Sequence, residues 1–74
     1  WINKMIYNNV SNMMANIALY NSKNDTKIEL CIFANEYYFE VRKKSLIRFK
    51  EGRLLCKGDS DFVSNYLKKK VKGL

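Results

Sequence analysis

A chain of 74 residues that is 47% apolar and 14% aromatic makes one small domain, too hydrophobic for disorder. At this size a folded chain buries only about 60% of the surface its unfolded form exposes, so the core is thin and a neighbouring domain or second copy is expected to add to it. The net charge of +7 raises nucleic acid as a partner, but lysine outnumbers arginine eleven to three and asparagine occurs nine times, a bias that an AT-rich genome produces without selection for binding.

The first residues, "WINKMIYNNVSNMMANIALY", place Ile2, Met5, Ile6, Val10, Met13, Met14 and Ile17 at helical spacing. Asn3, Asn8, Asn9, Asn12 and Asn16 interrupt them, and asparagine competes with a helix for its own backbone. The reading is a lead-in over 1–14, with a short helix or irregular segment over 2–7, residues 8–12 left open, and a first strand within 15–20. "NSKND" at 21–25 is a turn by composition.

Period-two alternation then begins. Ile28, Leu30 and Ile32 alternate with Lys27, Glu29 and Cys31; Tyr37, Phe39 and Val41 alternate with Tyr38, Glu40 and Arg42; Ile47 and Phe49 alternate with Arg48 and Lys50. "EG" at 51–52 reads as a hairpin turn with Gly52 able to take a positive φ, followed by a last strand over 53–57. In "GDSDFVSNYLKKKVKGL", Asp59 or Ser60 caps a helix over 59–74, Asp61 lies in its first turn, and Val63, Leu67, Val71 and Leu74 form its apolar stripe. The expected fold is α+β, with an antiparallel meander of about five to six strands over 15–57 and one C-terminal helix packed across it.

Catalytic chemistry is sparse. There is no histidine to carry a proton near neutral pH, Gly52, Gly58 and Gly73 are isolated rather than a phosphate loop, and Ser45, Ser60 and Ser64 lack a partner base. Two cysteines, Cys31 and Cys56, cannot make a zinc site alone and read as buried thiols of an intracellular protein. No cofactor is expected, and no apolar run approaches the roughly 20 residues that span a bilayer. The basic residues appear spread along the chain, and Lys68, Lys69, Lys70 and Lys72 read as complementing the dipole of a helix end. A non-catalytic binding part is the reading.

The order of elements resembles the polo box, the C-terminal targeting module of polo-like kinases. The matching stretches are "IELCIFANEYYFEV", similar to the family's apolar strand, F-N-D-type turn and next strand; "SLIRFKEGRLL", similar to its central hairpin; and "DSDFVSNYLKKKV", where its helix begins. Trp1 with Lys4 is similar to the W-x-x-K opening of a first polo box, although the spacing from Trp1 to Phe33 is longer than the family's.

The resemblance implies a segment of a longer protein, a Ser/Thr kinase, that is cell-cycle linked and found at the spindle pole, centrosome or nucleus. It implies as partners a second polo box, in the same chain or another copy, and a phosphorylated or extended peptide, with Trp1 and Lys4 as peptide-binding residues. A second box grips phosphate with a histidine and a lysine, where this chain has Glu36 and Tyr38, and a carboxylate repels phosphate. This is therefore either a first box or a box that does not read phosphate. Tyr38 faces outward, as an interface residue for a dimer or peptide or as a half-exposed strand former. The alternative function is a small basic nucleic-acid-binding domain. A lone box also leaves the backbone of an edge strand open to strand addition.

Overall fold

The computed structural model describes residues 4–33, 38–47 and 50–73; Trp1, Glu36, Tyr37, Phe49 and Leu74 lie outside them, as does the side chain of Lys4. The element order is α1 (Lys4–Lys23), β1 (Ile28–Phe33), β2 (Tyr38–Lys43), β3 (Leu54–Gly58) and α2 (Ser60–Lys72). The strands form one antiparallel sheet in the order β1-β2-β3. Both helices pack on one face of it and against each other, α1 over β1 and α2 over β2 and β3.

The α+β class and the antiparallel meander match the sequence reading, and the strand number does not. Among the described residues the sheet has three strands where five to six are expected. The first difference is α1. Residues 15–20 are not a strand: Lys4–Lys23, which takes in most of the expected lead-in, the expected first strand and the start of the expected turn at 21–25, is one 20-residue helix. Its asparagines cost helix propensity of a few tenths of a kcal/mol each. Against that, Met13 is fully buried and Val10, Ile17 and Tyr20 pack beside it, a stripe at spacings of three and four that the sheet and α2 cover together. Tertiary burial outweighs local preference here.

The second difference lies between β2 and β3. Ile47 and Lys50 are exposed and stand outside any strand; the chain bends at Leu46 and Ile47, where the Ile47 amide donates to Ser45 Oγ at 3.1 Å. Gly52 does not need a positive φ. It is needed because a Cβ there would stand 1.6 Å from the Lys43 carbonyl oxygen, so the chain passes directly against the end of β2. The Lys43 amide donates to the Arg53 carbonyl at 2.9 Å beside it.

The core joins Met13, Ile28, Phe39, Val41, Cys56, Val63 and Leu67, one or two residues from every element. Paired strand residues share a face, so Leu30 opposite Val41 and Ile32 opposite Phe39 point toward the helices with Ile28. A bulge in the β2–β3 register, between Val41 opposite Cys56 and Arg42 opposite Leu54, lets Leu55 turn onto the core as well.

Helix α2 forms as its sequence dictates. Asp59 is the N-cap and its carboxylate accepts from the Phe62 amide at 2.9 Å, Asp61 sits in the first turn, and Lys69, Lys70 and Lys72 fill the last. Val63 and Leu67 are fully buried, and Val71 is half-buried along the same stripe. Phe62 is exposed, and it lies over Gly58, where a Cβ would meet its ring at 2.8 Å.

Candidate functional site: the open edge of the first strand

The hydrogen-bond phase of the sheet decides which backbone groups are free. The Lys44 amide donates to the Lys27 carbonyl, and Lys27, Glu29, Cys31 and Phe33 share the phase that faces β2. The amides and carbonyls of Ile28, Leu30 and Ile32 therefore face away from the sheet, along the open side of β1.

One of those three residues is already paired. The side-chain carboxamide of Asn21, in the last turn of α1, accepts from the Ile28 amide at 2.8 Å and donates to the Ile28 carbonyl at 3.0 Å. A carboxamide carries the donor and acceptor of a peptide group, so Asn21 pairs with Ile28 as one residue of a fourth strand would. The helix end that presents it is held in turn. Asn24 donates to the Tyr20 carbonyl at 3.1 Å, and Lys27 Nζ donates to the carbonyls of Asn21 and Asn24.

Beyond Asn21, the edge groups of Leu30 and Ile32 have no hydrogen-bond partner among the described residues. A groove of about 370 Å³ runs beside them, floored by Leu30 and Ile32 and walled by Met14, Ile17 and Ala18 of α1. Glu29 is the one charged residue in its lining among the described residues. Ile32 is 44% exposed and Met14 59%, so a half-covered apolar trough follows a row of unpaired backbone groups. An extended chain needs both features in order to bind.

The middle of the outer face is tied together by Arg42. Arg42 Nε donates to Glu40 at 3.0 Å, and Arg42 Nη1 donates to the Gly52 carbonyl at 2.9 Å; the Glu40 carboxylate raises the guanidinium pKa further. Burial pushes the Cys31 thiol up, and Glu29 and Glu40 push the same way, while burial alone raises Cys56. Neither cysteine is an activated nucleophile. Cys31 lies on the outer face opposite Glu40 and Cys56 on the inner face opposite Val41, with β2 between them. Two strand spacings, about 9.6 Å, exceed disulfide reach.

Of the residues predicted for a site, Tyr38 lies half-buried on the outer face, its ring 5.8 Å from that of Phe33 opposite it. This is a cross-strand aromatic pair that explains the tyrosine locally. Lys4 opens α1 at the same end of the molecule, and Trp1 falls outside the described residues. Sequence reasoning missed Asn21 and the edge pair Leu30 and Ile32. The signal for Asn21 was masked by its place in a turn-like composition.

The charge is less evenly placed than the sequence suggests. Asn9 bonds Asp61 at the N-terminus of α2, while Lys70 lies over the rings of Tyr20 and Tyr66, so the helices run parallel. Both C-termini thus share one end of the molecule with the start of β1 and the end of β2. That end gathers Lys23, Lys27, Lys43, Lys44, Arg53 and Lys70 against Asp25 and Glu51, while the other mixes Asp59 and Asp61 with Lys4 and Lys57. Among the described residues no three histidine, cysteine or carboxylate side chains come together as metal ligands. None of the described helices is long and apolar enough to cross a membrane.

No family model matches this chain, and the search of curated proteins and that of solved structures likewise return no match.

Proposed function

We propose that this domain is a non-catalytic protein-interaction module that takes up an extended segment as a fourth strand along β1. The observation that carries the reading is the pairing of Asn21 with Ile28, which occupies one edge position and leaves the next two open beside an apolar groove. Main-chain hydrogen bonds supply affinity in such a site, and alternate side chains in the trough supply selectivity. The narrower form of the reading is a polo-box module that docks a kinase onto phosphorylated or extended partners. An antiparallel sheet crossed by a C-terminal helix supports it; the helix α1 in place of a first strand departs from the pattern.

The test is selection of displayed random nine-residue peptides on the wild-type domain and on Ile32→Pro. The Ile32 amide faces the open edge, so proline removes that donor without touching a β1–β2 bond. Enrichment of alternating apolar peptides on the wild type, lost with Ile32→Pro, is expected; equal enrichment on both would defeat the reading.

A second reading has its own observation. The cations gathered at one end, with Tyr20 and Tyr66 under Lys70, suit a polyanion such as nucleic acid. Binding there would weaken steeply between 50 and 200 mM salt, by about a thousandfold for six phosphate contacts. A strand-addition site with one charge in its groove would hardly respond.

A further inference from the structure

We infer that the occupant of the β1 edge is a second copy of this chain, paired antiparallel through a two-fold axis at Cys31. The inference rests on the edge being the interaction site, and it follows from which groups are free. In a two-fold antiparallel pair, residue numbers facing one another have a constant sum. Pairing Leu30 with the partner copy's Ile32, and Ile32 with its Leu30, makes four hydrogen bonds and uses the two open residues of each chain. It leaves both Asn21–Ile28 pairs intact. Shifting the register by two residues in one direction sets Ile28 against Ile32 and displaces Asn21 from both protomers. A shift the other way spends Leu30 on residues past Phe33.

The side chains fit the same axis. On the helix side, the half-exposed Ile32 meets Leu30 of the other copy, over the groove walled by Met14 and Ala18. The result is a continuous sheet of twice the strands, β3-β2-β1 followed by the same strands reversed, with all helices on one face.

Charge favours this axis too. Because the strands run oppositely, the lysine-rich end of each protomer lies at the less basic end of the other, and the two basic ends are held apart. A chain of net charge +7 is thereby able to meet itself at a joint that contains only Glu29. This separation of the basic ends, together with a bonding window of two residues, favours a second copy over a long foreign strand.

On the outer face the axis sets Cys31 against Cys31 as a non-hydrogen-bonded pair, with Cα atoms about 4.5 Å apart, at the short end of disulfide geometry. This provides the readout. The domain at graded concentrations is treated with diamide, which takes up the two thiol hydrogens as each disulfide forms, and the products are run without reductant. Sedimentation equilibrium is measured in parallel on the reduced protein.

A covalent dimer is expected from the wild type and Cys56→Ser but not from Cys31→Ser. Ile32→Pro is expected to remain folded by circular dichroism, with the reduced dimer weakened at least tenfold and cross-linking lost. A reduced dimer that persists in Ile32→Pro, or cross-links that form through Cys56, would overturn the inference. A wild type that stays monomeric at millimolar concentration would also overturn it. In that last case the peptide selection separates the two failures: peptides lost with Ile32→Pro mean that the edge binds a foreign strand, and none at all means that the edge reading falls as well.

Discussion

The two helices pack side by side on one sheet, yet they are made in different ways. Helix α2 carries its own instructions: an N-cap aspartate, an acidic first turn, a stripe through Val63 and Leu67, and lysines at its C-terminus. Helix α1 has no acidic residue in its first turn, five asparagines between Asn8 and Asn21, and exposed Tyr7, Met14 and Leu19. It is held by Met13 in the core and by polar ties to other elements, Asn9 to Ser60 and Asp61, and Asn21 to Ile28. The comparison teaches that a helix poor in local signals is fixed by what it touches. Its asparagines serve as ties rather than as breaks.

The strongest way to break the comparison is to truncate each helix's core anchor. Met13→Ala and Leu67→Ala both empty fully buried sites and are each expected to cost about 2–5 kcal/mol in chemical denaturation. For a domain this small that approaches its whole stability. If α1 depends on its contacts, Met13→Ala should also lower the far-ultraviolet helix signal of the folded state, and Leu67→Ala should not. Equal helix loss in both would remove the distinction.

The ties come next. Asn21→Ala takes both partners from the backbone of the buried Ile28 and is expected to cost about 1–2 kcal/mol, with faster amide exchange at Ile28. Asp59→Ala removes the cap of α2 and is expected to cost about 1 kcal/mol, with exchange rising only in the first turn of that helix. Ser64 tests the comparison from the other side. Its hydroxyl is buried with no partner among the described residues, so Ser64→Ala should leave stability unchanged or raise it by about 1 kcal/mol. A loss of more than 1 kcal/mol would mean that the hydroxyl is satisfied after all.

The smallest effect is one of pH. Folding raises the pKa of both thiols, so the folded state holds their protons more tightly than the unfolded chain. Their contribution is complete below the unfolded thiol value, near pH 8.5–9, and is lost as pH rises through the folded values. Denaturation midpoints should fall above pH 9, and fall less in a Cys31→Ser, Cys56→Ser double variant; an unchanged slope in the variant would assign the loss to other groups.

By itself the sequence determined the elements whose signals are local. Period-two alternation placed β1 and β2, with Phe39 and Val41 facing the core, because side chains on a strand must alternate faces. Capping by Asp59 or Ser60 and a 3.6-residue stripe placed α2 for a similar reason, and the structure uses Asp59. Tertiary structure alone decided the rest. It turned residues 4–23 into a helix, since burial of Met13 outweighs a few tenths of a kcal/mol per asparagine. It gathered scattered lysines at one end by running the helices parallel. It brought Asn21 to Ile28, which pairs one edge residue and leaves two open. A hydrogen bond between a helix end and a strand seven residues on has no periodicity for a sequence to display.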